Sequence, residues 1–315
     1  MRFFAVWVYL TWRNSINKAA HALYGVRRLQ SRFACFLLQY VNYRWILALV
    51  YAGGILPFSW RGLKRRGKVA AANKQSLIGA GKRLDYTRLI QRRHVLELAA
   101  TYGKNPQVLA QLECCRQQLN AVVEPLHQAG SPVILAPLHM VSDVLAGIVG
   151  GGVFPGQATV IVSSSAEIYQ EQARKQGGVN LSYCSIHDDN RAIAGNLTSA
   201  IMEAAEHKRN IIIFPDITPD YTVGTNKAGS AKLSCRLFDR SAHVHSGVIR
   251  LAKALSAQVV FYNLYYDKEI KIHIYPTMAA KELKTQLPEM VEQAIKQYPQ
   301  DWLLWHAHSL FFINE

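Results

Sequence analysis

The stretch LAPLHMVSDV, residues 135–144, ends an apolar run in His139 and places Asp143 after three intervening residues. Histidine changes charge near neutral pH, so it can remove a proton from a substrate and return it. If a helix begins near Met140, this spacing predicts both side chains on one face, with Asp143 accepting a proton from one ring nitrogen. The other nitrogen would then be available to a substrate hydroxyl. Amide groups at the helix start would stabilise an oxyanion. Such a set needs no serine or cysteine nucleophile. It suits direct transfer of an acyl group from a thioester to a hydroxyl. The competing reading is a plain helix start, since the helix dipole favours aspartate in a first turn.

Other residues could contribute. Asp216 closes NIIIFPD, residues 210–216, a strand end of the kind where α/β folds collect ligands. Lys227, Lys232, Arg236, Arg240 and Arg250 could contact phosphates or form a solvated face. His243 and His245 flank Val244 and would share one face of a strand. No carboxylate or cysteine cluster accompanies them, so no metal is expected. His243 reads as a substrate contact or as polar surface. SSSAE at 163–167 lacks the glycines and lysine of a phosphate loop. HDD at 187–189 could be an acidic ligand set but reads better as a loop capping the next helix, and Asp220 could pair with Asp216 but reads better as part of a turn. Cys235, Trp302, Trp305 and His306 read as packing.

The elements that would position these groups begin at Pro132. PVILAPL, ATVIVSS, NIIIFPD and QVVFYNLYY are short β-branched or aromatic runs. Helical stretches separate them: VSDVLAGIVG, AEIYQEQARKQG, RAIAGNLTSAIMEAAEHKR and SGVIRLAKALSA. This alternation predicts an α/β fold with a mixed, mainly parallel sheet flanked by helices. EIKIHIYP (269–276) alternates as an edge strand, and KTQLPEMVEQAIKQYP reads as the last helix. Upstream, residues 84–128 read as helical and the basic, glycine-containing residues 61–83 as a connection.

Charge is unevenly spread. Residues 1–116 hold twenty Lys and Arg against three acids, within a total of 36 against 21. A basic, aromatic-rich arm suits nucleic acid or an anionic membrane. The uncharged run WILALVYAGGILPFSW, residues 45–60, favours the membrane. With ACFLLQYVN before it, broken by Arg44, it approaches the ~20 residues of a bilayer span. Trp45 and Trp60 mark its edges, and RGLKRRGK follows as a polybasic run. MRFFAVWVYLTWR reads as a retained interfacial segment rather than a signal peptide, having no small-residue cleavage site. The expected organisation is a hydrophobic membrane-anchoring helical segment at 1–60, a basic connector and helical region at 61–130, and an α/β region at 131–315. Five cysteines without C-x-x-C spacing predict neither a disulfide framework nor a zinc site and fit a reducing compartment.

Taken in order, these blocks resemble the lysophospholipid acyltransferase superfamily, and within it the lipid A late-acyltransferase branch. ILPFSW with LKRRGKVAAANKQ resembles its anchor and connector. PVILAPLHMVSDVLAG resembles its catalytic strand, turn and helix. IIIFPDITPDYTVGTNKAG resembles its proline–aspartate loop, and AHVHSGVIRLAKALSAQVVFYNLY the helix and strand that follow. YPQDWLLWHAH resembles its closing segment. The similarity runs over most of the chain from about Trp45. It implies a transferase on the cytoplasmic face of the inner membrane, esterifying a hydroxyl of lipid A from a carrier-protein thioester. His139 would be the general base, Asp143 its orienter, and Asp216 part of the loop shaping the site.

Two departures bear on the cargo. The family places four residues between its histidine and acid, and this chain three; on a helix that residue turns the acid by about 100°. The basic pair that closes the family pattern is replaced by Ala307 and His308. A shortened motif resembles the lipid A glycyltransferase branch that confers polymyxin resistance, which favours a glycyl cargo, with a fatty acyl donor as the alternative. Condensation domains that join carrier-bound amino acids share the spacing, but their second histidine is absent. The implied partners are an aminoacyl- or acyl-carrier protein and lipid A in an anionic membrane, with no nucleic acid. No cofactor is expected beyond the phosphopantetheinyl arm of that carrier. A different class remains open: a non-catalytic, membrane-anchored lipid-binding protein on the same fold.

Overall fold

The computed structural model describes residues 33, 36–52, 60–79, 81–162, 180–185, 190–217 and 232–310. Helices α1 (Tyr43–Ala52), α2 (Trp60–Ile78), α3 (Tyr86–Thr101) and α4 (Pro106–Gln128) precede the sheet. Then come β1 (Val133–Pro137), α5 (Asp143–Gly151), β2 (Gln157–Val162), β3 (Asn180–Ser185), α6 (Asn190–Ala205) and β4 (Asn210–Ile213). A hairpin of β5 (Lys232–Leu237) and β6 (Arg240–His245) leads to α7 (Gly247–Leu255), β7 (Gln258–Asp267), β8 (Glu269–Ile274) and β9 (Met278–Ala279). Helix α8 (Leu283–Gln297) and a 3-10 helix (Leu303–Leu310) follow.

The sheet runs β3-β2-β4-β1-β7-β8, with β9 also on β7. β3, β2, β4, β1 and β7 are parallel to their neighbours. β8 and β9 are antiparallel to β7, and β8 is the edge strand that the alternation of EIKIHIYP predicts. The α/β fold with a mainly parallel sheet is therefore as expected. Its centre is buried on both faces, so VILAP and NIII read as unbroken apolar runs. Within β1, Ile134 and Ala136 enter one core, under α7, α8 and the 3-10 helix. Val133 and Leu135 enter the other, under α3, α4 and α5.

Several expectations need correction. Residues 60–78 form α2 rather than a loose connection. Its Lys, Arg, Gln and Ala residues favour helix, its buried Ala70 packs with Leu63, Leu77 and Ile78 in the core, and Asn73 Nδ2 donates to the Trp305 carbonyl at 2.7 Å. The helical region 84–128 is two helices, because Asn105 caps α4 and Pro106 opens it. β3 and the β5–β6 hairpin add strands where none was predicted from periodicity. Among the described residues no helix is long and apolar enough to cross a membrane. Residues 1–32 and 53–59, which hold MRFFAVWVYLTWR and part of the apolar run, lie outside the described residues. So do AEIYQEQARKQG, residues 163–167 and 187–189, Asp220 and Lys227.

Helix α5 lies tight on the sheet because Gly150 lets it. A Cβ there would stand 2.4 Å from the Tyr262 hydroxyl oxygen and 3.2 Å from Ile212 Cδ1. That hydroxyl donates to the Ala146 carbonyl at 2.8 Å. Gly150→Ala should push the helix off the sheet and cost about 1–3 kcal/mol, read as a lower denaturant midpoint; an unchanged midpoint would refute the close fit.

Candidate functional site

The site is built by strand register. In the β1–β4 pair, Ile134 lies opposite Ile211 and Leu135 opposite Ile212. His139 and Asp216 are the same 77 residues apart and meet just beyond the two carboxyl ends. Asp216 Oδ1 faces His139 Nδ1 at 2.8 Å. Asp216 Oδ2 accepts the His139 backbone N–H and the Trp302 indole N–H, both at 2.9 Å. A carboxylate only accepts, so Nδ1 carries the ring proton and Nε2 is the basic nitrogen of the neutral ring. Asp216 is 0% exposed, whereas the His139 side chain keeps 16% of its surface. The Phe214 ring packs against the imidazole with centroids 4.5 Å apart.

Asp143 does not orient His139, as the sequence led us to expect. The helix begins later than Met140, at Asp143, with Ser142 as its cap. Two three-residue turns come between. Met140 N–H bonds to the Leu138 carbonyl and Ser142 N–H to the Met140 carbonyl, each at 2.7 Å. The centre of the second turn is Val141 at φ +59°, a conformation that a β-branched residue adopts only under constraint. The i,i+4 argument fails because these four residues are not helical. Asp143 instead pairs with Arg93 of α3 at 2.6 Å. Arg93 also holds Glu97 at 2.7 Å, and Glu97 accepts the Ser142 hydroxyl at 2.7 Å. That same hydroxyl oxygen accepts the Leu145 N–H at 3.1 Å, which caps α5.

The segment after α8 clamps the strained turn. His139 and Val141 bond through their backbones to Leu303 and Asp301, at 2.8 and 3.0 Å. Met140 bridges Trp302. Asp301 is itself buried against Arg92, and its other oxygen accepts the Tyr266 N–H at 3.1 Å. Burial raises the Asp301 carboxyl above the usual range, against the pull of the Arg92 guanidinium. Trp302 packs edge-on against Trp305 at 4.8 Å, so the packing role predicted for both is present. The indole bond to Asp216 is additional and was missed, as were Arg93, Glu97 and Phe214. Of Trp302's role, the order of the closing YPQDWLLWH block was the only signal in the sequence.

Lys232, Arg236 and His243 lie on the β5–β6 hairpin, an element separate from the two strand ends. Lys232 pairs across with His245, Ser234 with His243, and Arg236 with Ser241, so the basic residues and both histidines share one face. The other face of β6, Ala242 and Val244, is buried. Arg236 donates to the Asp239 carbonyl at 2.6 Å. The hairpin ends close to β4, since a Cβ at Gly247 would lie 3.2 Å from Ile213 Cδ1. Among the described residues no group of three His, Cys, Asp or Glu could hold a metal.

Burial pulls the His139 pKa down, but the charge and hydrogen bond of Asp216, with Asp143 adding to them, outweigh it and leave the pKa above its ordinary value. A raised histidine pKa contributes stability that is complete below the unfolded value and is lost as pH rises through the folded value. Base catalysis by Nε2 needs the neutral ring. Any His139-dependent rate should therefore rise with pH through an apparent pKa above the ordinary 6.5, measured as kcat/KM against pH. A rate that is flat across that range would remove His139 from the chemistry. No family model matches the chain, and no curated protein matches it.

Proposed function

We propose that this chain is a transferase that moves an acyl-type group from a carrier-protein thioester to a hydroxyl of lipid A, with His139 as general base. One observation carries the reading: a fully buried carboxylate holds Nδ1 of a partly exposed histidine at paired strand ends. Asp216 supplies the tautomer and the orientation; Nε2 takes the hydroxyl proton as the oxygen attacks the thioester carbonyl. The new ester forms, the carbon–sulfur bond breaks, and the proton passes to the departing thiolate. Asp216, Trp302 and Phe214 position the ring, and Arg93 pairs with Asp143 and Glu97 near enough for the charges of Arg93 and Asp143 to act on it. Those ion pairs support a small polar cargo, glycyl, over a long fatty acyl chain. Mass spectrometry of lipid A from cells expressing the wild type or His139→Ala tests the proposal. A histidine-dependent gain of one or two glycine masses supports it, a fatty acyl gain supports the alternative donor, and no change in either strain returns the chain to the non-catalytic lipid-binding class.

Membrane docking follows from the same reading. Helix α1 buries Tyr43, Leu47 and Val50 but leaves Trp45 69% and Leu49 57% exposed. Phe33, Phe36 and Tyr40 are exposed as well. Large apolar side chains on two faces of a short helix suit an interfacial segment on the cytoplasmic side of the inner membrane. The exposed Lys64, Arg65, Arg66 and Lys68 of α2 suit anionic head groups. Trp45→Asp with Leu49→Asp should shift the protein from anionic vesicles into the supernatant without lowering its melting temperature. Equal vesicle binding by the double variant would refute docking through this face.

A further inference from the structure

A pair of histidines, His127 and His207, stands at the opposite end of the sheet from His139. His127 is in the last turn of α4. His207 lies in the turn between α6 and β4, at φ +59°. Their Nδ1 atoms are 3.3 Å apart, with the rings nearly perpendicular. Asn210, at the start of β4, settles the protons. Its Nδ2 donates to the Phe154 carbonyl at 2.8 Å, so its Oδ1 is the atom 2.8 Å from His127 Nε2. An amide oxygen accepts, so Nε2 carries the proton of His127 and Nδ1 presents its lone pair to His207. Burial, and after it the neighbouring His207, favours the neutral ring, lowering the His127 pKa although the Asn210 bond opposes this.

We propose that His127 and His207 form a binding site for one divalent late-transition cation, zinc in the first instance, through their two Nδ1 atoms. The separation matches the chemistry. Two nitrogens each about 2.05 Å from a tetrahedral zinc stand about 3.3 Å apart. The bond from Nε2 to a fixed oxygen is what metal-binding histidines ordinarily have on their second nitrogen. Both side chains are imidazoles, which suit zinc, nickel and copper rather than calcium or magnesium. No third His, Cys, Asp or Glu joins them among the described residues, so water would complete the coordination. The cation would tie the end of α4 to the start of β4, remote from His139. The alternative for the same geometry is a plain hydrogen bond from His207 Nδ1–H to His127 Nδ1.

Titration of the full-length protein in detergent with zinc chloride, by calorimetry and by melting temperature, separates the two. His207→Asn is the main variant, because asparagine tolerates the positive φ and the buried His127–Asn210 bond is left in place. His139→Ala is the control for binding at the other histidine. We expect one zinc per chain in the wild type and in His139→Ala, a rise in melting temperature on binding, and affinity at least about tenfold lower in His207→Asn. Binding should also weaken as pH falls and protons compete for both rings. Equal zinc affinity in His207→Asn, or no saturable binding by the wild type, would overturn the site and leave the hydrogen bond.

Discussion

His139→Ala should lower transfer to the acceptor hydroxyl by about 100- to 10,000-fold, the contribution of a positioned general base. The variant removes Nε2, the only basic nitrogen that the Asp216 bond leaves on that ring. It also leaves Asp216 buried with two donors, the His139 backbone N–H and the Trp302 indole, instead of three. Stability should therefore fall as well, so the alanine variant alone could mislead. His139→Asn separates the effects. Its amide nitrogen can take the place of Nδ1 toward Asp216 while supplying no base. We expect His139→Asn to melt near the wild type yet transfer as poorly as His139→Ala, assayed with donor-loaded carrier protein and lipid A. Activity retained in His139→Asn would show that Nε2 is not the base.

The second large effect distinguishes two aspartates. Asp216→Asn places an amide where both carboxylate oxygens accept N–H groups. Whichever way it turns, an NH2 meets either the His139 ring N–H or the pair of donors from the His139 backbone and Trp302. With the NH2 toward the ring, the ring is driven to the other tautomer, a change that has cost about 10,000-fold in the serine-protease case. With the NH2 turned the other way, the His139 backbone N–H and the Trp302 indole are both left unpaired, at about 1–3 kcal/mol each. Asp143→Asn should cost about tenfold or less, because Asp143 is bonded to Arg93 rather than to the imidazole and reaches His139 only through its charge. The pH profile supplies a readout that a merely structural role would not move. Loss of the Asp216 charge should shift the apparent pKa of the rate downward, and loss of the Asp143 charge should do so by less. If Asp143→Asn were the more damaging substitution, the expectation from the H-x-x-x-D spacing would be right and the strand-register pair would be secondary.

The amino-acid sequence by itself determined β1, β2, β4, β7 and β8 of the sheet and one half of the site. Short, β-branched apolar runs such as VILAP and NIII read as strands buried on both faces, and their ends point to His139 and Asp216 whatever the strand order. Alternation in EIKIHI gave the edge strand. It could not show which acid meets the histidine. Local spacing made Asp143 the partner, because a helix was assumed to start at Met140. The clamp by Asp301, Trp302 and Leu303 holds residues 139–142 in two tight turns instead, and long-range backbone bonds of that kind leave no periodic trace. Pairing β1 with β4 then brought Asp216 to the ring from 77 residues away. Side-chain chemistry is written locally; its geometry is set by register and burial, which only the tertiary structure supplies.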